Sequence, residues 1–352
     1  MTEQQEQLKD FREGKVVAGR WRVCKKLGEG GMGAVYKVED KKHKNYFAAM
    51  KVEDDLTEGG VLKLEVFVLQ QLKTAAHSVK LLDSGKRDKY NFMVMTLCSR
   101  DLMSLKRAAG KPFSESTTLR LGISSLYAIK QLHEIGYIHR DIKPGNCMMG
   151  GVGRDTRIIY LIDYGMVRAF TAKDPKGKLG LRRARDGDLL FRGTPRYCSV
   201  NVHNRKEQCR IDDLWSWLYM LIELHHGLPW SRMQEERDIW TEKESTDPET
   251  LVRGCPGEFL AIHKYLTGTR FEERPDYHGL YTECLSGLKR VKGSFLDRFE
   301  WEKEQQELNT ALSISEKDRG GGPKKPLTRV QLARKSYPFA SAAYFKENVL
   351  GL

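Results

Sequence analysis

Two rhythms of apolar and polar residues divide this chain. The first third reads in strands. Trp21 to Leu27 and Ala34 to Val38 are rich in strand formers and flank a glycine cluster, which predicts a hairpin. The short apolar run Ala48-Ala49-Met50 reads as a third strand. The spacing then predicts a helix over Val61 to Leu72, with Leu62, Leu64, Val66, Leu69 and Leu72 apolar and Glu65 among them. Further on, Ser116 to Ile135 reads as a long amphipathic helix, Tyr160-Leu161-Ile162 as a strand, and Leu214 to Leu224 as the most apolar helix. That last helix has about half the length of a membrane span and contains Glu223, so no membrane insertion is expected. Residues 1–18 form a polar lead, 19–97 a mainly β region and 98–303 a mainly helical one. From 304 the character changes to a basic, largely flexible tail, with Arg319-Gly320-Gly321-Gly322-Pro323 breaking any helix.

Into this frame fall four stretches that carry chemistry. His139-Arg140-Asp141 is followed by Lys143 and Asn146. Asp141 can accept a hydroxyl proton, Lys143 can steady a transferring phosphate, and the Asn146 amide can hold a metal ion. Upstream, Gly28-Glu29-Gly30-Gly31-Met32-Gly33-Ala34-Val35 is a G-x-G-x-x-G-x-V loop. Alone it is a weak signal, because dinucleotide-binding folds use the same spacing. Those folds open a helix directly after the glycines, whereas here strands stand on both sides, so Gly28, Gly30 and Gly33 are expected to fold a hairpin over nucleotide phosphates. Lys51, which ends the third strand, would contact the α- and β-phosphates with Glu65 as its ion-pair partner. Asp163, after the Tyr160–Ile162 strand and before Gly165, supplies a second carboxylate; with Asn146 it is expected to hold Mg²⁺, a cation that favours oxygen ligands.

Together these residues resemble a eukaryotic protein kinase, and from about Arg20 to Lys303 the chain resembles the casein kinase one group, most closely the tau-tubulin kinase family. The likeness rests on Phe191-Arg192-Gly193-Thr194-Pro195-Arg196-Tyr197-Cys198-Ser199-Val200-Asn201, on Arg210-Ile211-Asp212-Asp213-Leu214-Trp215-Ser216, on Arg274-Pro275-Asp276-Tyr277 and on Phe299-Glu300-Trp301-Glu302-Lys303. It implies an α+β, bilobal protein kinase fold: a small antiparallel β N-lobe with one main helix and a larger, mainly α-helical C-lobe. It implies ATP and Mg²⁺ as cofactors, and Leu27, Val35, Ala49, Met95, Leu97 and Met148 as an apolar slot for the adenine. Thr194 and Lys143 imply serine or threonine as acceptor, and Arg196 matches a phosphate-contacting arginine of the group. Asp213 is expected to anchor the catalytic loop. Most kinases end this segment Ala-Pro-Glu; here Ser199-Val200-Asn201 stands instead, so the buried ion pair made by that glutamate must be replaced by some other brace. Gly145 departs from the Asp or Ser common in the group.

The chain has 352 residues, 40% of them hydrophobic, which suffices for two lobes and a tail. Its formal net charge is +13. Between Tyr164 and Arg210 there are twelve basic residues, Arg182 and Arg183 among them, against four acidic ones. That excess is expected to attract acidic or pre-phosphorylated protein substrates, cytoskeletal proteins being the ones the family likeness suggests. No nucleic-acid recognition module is legible, and a monomer is expected. Met1 to Lys15 lacks the apolar stretch of a signal peptide, and the seven cysteines form an odd set without C-x-x-C spacing. Both point to the reducing cytoplasm, with the nucleus as a further location. Two other readings compete with an active kinase: a catalytically silent kinase-fold scaffold, and a basic adaptor for microtubules.

Overall fold

A computed structural model describes residues 11–30, 33–54, 61–87, 89–151, 153–302 and 341–352. The chain divides into two compact units: one runs to Cys98 and includes Ile162–Gly165, and the other holds Ser99–Leu161 and everything from Met166.

The first unit is built on an antiparallel sheet of β1 (Val16–Val17), β2 (Trp21–Gly30), β3 (Gly33–Asp40), β4 (Phe47–Asp54), β5 (Leu81–Arg87) and β6 (Tyr90–Thr96), in the order β1-β2-β3-β4-β6-β5. The period of two along each strand sends Tyr36 and Val38 of β3 and Ala48, Met50 and Val52 of β4 to one face, where they pack with Trp21, Val23, Phe92 and Val94. The register pairs Val35 with Lys51, Lys51 with Met93, and Ala49 with Met95, so these residues share the opposite face. Helix α1 (Val61–Gln71) buries Leu62, Glu65, Val68 and Leu69. The buried stripe thus runs through Glu65, while Leu64 and Val66 are only half buried. The polar lead needs a correction as well. Phe11 is buried, stacks on Tyr36 with ring centroids 5.4 Å apart, and its N–H donates to the Tyr36 hydroxyl, while β1 adds an edge strand to β2. One aromatic residue among charged neighbours was too thin a signal for this.

The second unit is mainly helical: α2 (Leu102–Ala109), α3 (Glu115–His133), α4 (Val200–His203), α5 (Arg210–His225), α6 (Glu236–Ser245), α7 (Pro248–Leu251), α8 (Glu258–Gly268), α9 (Tyr277–Arg290) and α10 (Ala342–Lys346). Helix α3 was expected to be amphipathic, yet it is buried almost all round, because α5 and α9 pack against it. Helix α5 supplies the central apolar pillar, with Leu214, Trp217, Leu218 and Leu221 fully enclosed, and the Trp217 indole N–H donates to Gly122 O and Ser125 Oγ, each at 3.1 Å. Among the described residues no helix is long and apolar enough to cross a membrane.

The expectation of a flexible tail from 304 fails at its far end. Residues 303–340 lie outside the described residues, but 341–352 are docked on the helical unit. Phe345 is fully buried, stacked on Tyr281 at 4.4 Å and set edge-on to Tyr127 at 5.6 Å. Glu134 accepts from the Val349 N–H at 2.6 Å and from Arg274 at 2.8 Å, and Arg274 also donates to Glu347 O. Burial of the aromatic ring, together with the Glu134 and Arg274 hydrogen bonds, offsets part of the entropy of ordering the segment. Phe345→Ala is expected to weaken this docking by about 3 kcal/mol. Hydrogen exchange over residues 341–349 reads the result, and unchanged protection would contradict the packing role.

Candidate active site

In the first unit the site begins at Lys51. From the middle of β4 its ammonium donates to Glu65 Oε1 and, at 3.2 Å, to Asp163 Oδ1. The pairing expected from the α1 pattern is therefore present. Glu65 is 1% exposed and Lys51 9%. Burial works against the ammonium, but Glu65 and Asp163 outweigh it and hold the Lys51 pKa above its usual value. Burial also pushes the Glu65 carboxyl up to about 7, against the pull of Lys51. The contact with the ammonium favours the charged Glu65 carboxylate, against both burial and the neighbouring Asp163. Asp163 has φ of 66°, left-handed for a residue with a side chain, a strain that persists where surrounding structure fixes it.

The hairpin of β2 and β3 depends on Gly33. Its φ is 118°, and a Cβ there would lie 2.1 Å from Val52 O, so only glycine lets the turn approach β4. Gly28 and Gly30 are exposed on the hairpin, with open space where a Cβ would point, and Gly31 and Met32 lie outside the described residues. Of the expected apolar slot, Val35, Ala49 and Met95 share one sheet face. Leu97, half buried, follows β6, and Leu27 is exposed on β2.

In the second unit the loop of residues 139–146 converges on Asp141. Its Oδ2 accepts from Lys143 Nζ at 2.7 Å and from Asn146 Nδ2 at 3.1 Å, while its Oδ1 accepts from the Thr194 hydroxyl at 2.6 Å. Lys143 also reaches Thr194 Oγ1 at 3.1 Å. Thr194, named from sequence for peptide recognition, is thus bonded directly to Asp141 and Lys143. A Cβ at Gly145 would meet nothing within 4 Å, so the departure there empties a position without a steric reason. Met148 lies half buried on β7 (Cys147–Gly150), paired with Tyr160 of β8 (Ile159–Leu161).

Asp213 holds this loop from α5. Its carboxylate accepts from the backbone N–H groups of His139, at 2.6 Å, and Arg140, at 2.8 Å, and meets His133 Nε2 at 2.9 Å. The other His133 nitrogen faces the Tyr277 hydroxyl at 2.7 Å. Sequence reasoning gave His133 no role, and only the fold reveals one: it orients the anchor. Burial works to raise the Asp213 pKa, but His133 and the loop N–H groups outweigh it and bring it below the usual value. With these bonds fixed, Arg140 takes φ of 69°.

The basic residues divide by role. Arg182 and Arg183 are exposed, Arg183 lying 3.8 Å from Asp186. Arg196 donates to Ser231 O, and its own carbonyl accepts from the Trp230 indole at 2.8 Å. Glu207 gathers Arg168, at 2.8 Å, and Arg185, at 2.5 Å. Sequence counting had treated it only as an offset to the positive charge. Arg140 is pulled down to about 10 by burial and by Arg168, Arg192 and Arg185 around it.

A model of the protein kinase domain matches residues 21–261. A Caenorhabditis elegans protein named as a putative serine/threonine-protein kinase is 41% identical over 295 residues, which cover 83% of this chain and 85% of that protein. A second protein of that organism, named as a putative casein kinase I, is 33% identical over 298 residues, covering 82% of this chain and 85% of its own length. A third, named as an inactive tau-tubulin kinase, is 31% identical over 267 residues, covering 73% and 92%. The match spans the glycine hairpin, the lysine–glutamate pair and the Asp141 loop alike, and on that basis this chain belongs to the protein kinase family, among its serine/threonine kinases.

Proposed function

We propose that the protein transfers the γ-phosphoryl group of ATP to serine or threonine hydroxyls of proteins that are acidic or already phosphorylated near the acceptor. One observation carries this reading. The Asp141 carboxylate already accepts a hydroxyl proton donor, that of Thr194, at 2.6 Å, the reach a general base needs. An acceptor hydroxyl entering the site would use the same oxygen. Lys143, bonded to Asp141 and Thr194 together, would follow the phosphoryl group. Lys51, held by Glu65, would position the nucleotide phosphates.

Asn146 and Asp163 suit Mg²⁺. Asn146 directs its amide N–H groups to Asp141, while its Oδ1 accepts no hydrogen bond among the described residues, and the Asp163 carboxylate is a third exposed. These are hard oxygen donors of the kind magnesium takes alongside phosphate and water. When bound, the ion would offset the negative charge on the transferring oxygens.

Charge supports the substrate class. Arg168, Arg192 and Arg185 lie near enough to Arg140 to lower its pKa, and the exposed Arg182 and Arg183 add positive charge at the surface. The test is phosphate transfer to matched peptides that are neutral, acidic or pre-phosphorylated upstream of a serine. The acidic and primed peptides are expected to show kcat/KM about tenfold higher at low salt, with the gap closing as salt screens it. Equal rates on all three would contradict the substrate assignment. Nucleotide binding without any turnover would favour a silent scaffold.

A further inference from the structure

We infer that Lys243 is a positioning residue that staples the peptide-binding segment from beneath, in place of the acidic brace that Ser199-Val200-Asn201 lacks. From α6 its Nζ donates to Pro195 O and to Cys198 O, each at 2.6 Å, and lies 3.2 Å from His203 Nε2. An ammonium has three donors, and here it meets three acceptors. The third depends on the histidine tautomer, which the surrounding bonds assign. His203 Nδ1 faces Glu236 Oε1 at 3.3 Å, and that carboxylate also takes Arg205 at 2.8 Å. A proton on Nδ1 therefore points at Glu236 and leaves Nε2 to accept. Burial and the nearby Lys243 pull the His203 pKa down to about 4, which keeps the ring neutral in that role.

The setting is unusual for a cation. Lys243 is 7% exposed, and among the described residues no carboxylate lies within ion-pair distance of its Nζ. The faces of Tyr219 and Trp230 flank it, with centroids 5.1 and 5.3 Å away. Burying an ammonium is unfavourable unless its donors are satisfied, and here both strong acceptors are carbonyls of one segment. Those two carbonyls bracket the turn in which the Tyr197 and Cys198 N–H groups both donate to Thr194 O. Thr194 in turn donates to Asp141. The staple thus fixes the stretch that a substrate peptide would lie along, and it reaches the catalytic base through one residue.

The catalytic part of the test rests on the kinase reading, so a second readout is independent of turnover. Lys243→Met keeps the length of the side chain and removes the donors; Lys243→Arg keeps the charge. In the full chain, Lys243→Met is expected to speed hydrogen exchange at Tyr197 and Cys198 about tenfold, to raise the peptide KM by a similar factor and to leave the ATP KM within about twofold. Lys243→Arg should recover part of both losses. Unchanged exchange at the two amides overturns the inference. So does a parallel rise of both KM values with a lower Tm, which would mark Lys243 as merely structural. If no variant and no wild-type protein turns over any peptide, the kinase reading fails, while exchange still decides the staple. Should Lys243→Met not fold, His203→Ala removes the third acceptor, along with the His203 contact to Glu236, and is read by the same two amides, where no change again overturns the inference.

Discussion

Asp141→Asn is expected to lower kcat by a factor of about 10²–10⁴, the range a positioned general base contributes, with nucleotide affinity within about threefold of wild type. The asparagine can occupy the same space and still accept one hydrogen bond. It cannot take a proton, and it loses the charge that holds Lys143 at 2.7 Å. Because Asp213 anchors the loop through the backbone N–H groups of His139 and Arg140, the substitution should leave the loop conformation intact. Steady-state kinetics, with thermal unfolding to confirm the fold, checks this. A variant turning over at near wild-type rate would remove Asp141 from the base role.

Lys51→Met should have the largest effect on stability of any change in the first unit. It leaves Glu65 buried without its counter-charge and takes one donor from Asp163, a loss of about 3–5 kcal/mol when one member of a buried pair is removed. The size should depend on pH, and the sign follows from linkage. Burial already lifts the Glu65 pKa to about 7, above its ordinary value near 4.5, and removing Lys51 lifts it further. A carboxyl raised in the folded state holds its proton there when the unfolded chain has released it. Stability from this group is then full below the ordinary pKa and is lost as pH rises through the folded one. The variant should therefore lie closest to wild type at pH about 5 and furthest below it at pH about 8. Unfolding curves at both pH values decide the matter; an equal gap would mean that Glu65 is not the buried acid at issue.

The parts legible in the sequence were those with a local signature. Lys51, Asp141, Asn146 and Asp163 sit in short motifs whose spacing carries their chemistry, and Glu65 could be chosen because it falls within the apolar pattern of α1. Even there the pattern misplaced the stripe, because Leu64 and Val66 are only half buried while Glu65 is enclosed with Lys51. What could not be read depends on partners far apart in the chain. Lys243 lies in Glu242-Lys243-Glu244, which reads as a solvated helix face, and its carbonyl partners carry no side-chain signal. His133 and Tyr277 meet across α3 and α9, and neither segment announces the other. Gly33 was recognisable as a glycine position, but its contact with Val52 O exists only once β3 and β4 pair.

The docked segment that contains Phe345 also sets how its socket responds to dilution. Glu302 is tied to Arg157 at one end of residues 303–340, and Phe345 to Tyr281 and Tyr127 just past the other, so both ends of that stretch are anchored on the same unit. Docking is then a ring closure within one chain, governed by an effective local concentration and not by the concentration of the protein. Occupancy of the socket should be the same in a nanomolar assay as in a concentrated stock. A free peptide with the sequence of residues 341–352 would displace the segment only near that effective concentration. Cutting the chain anywhere between the two anchors would turn the same contact into a bimolecular one, and the segment would leave as the protein is diluted.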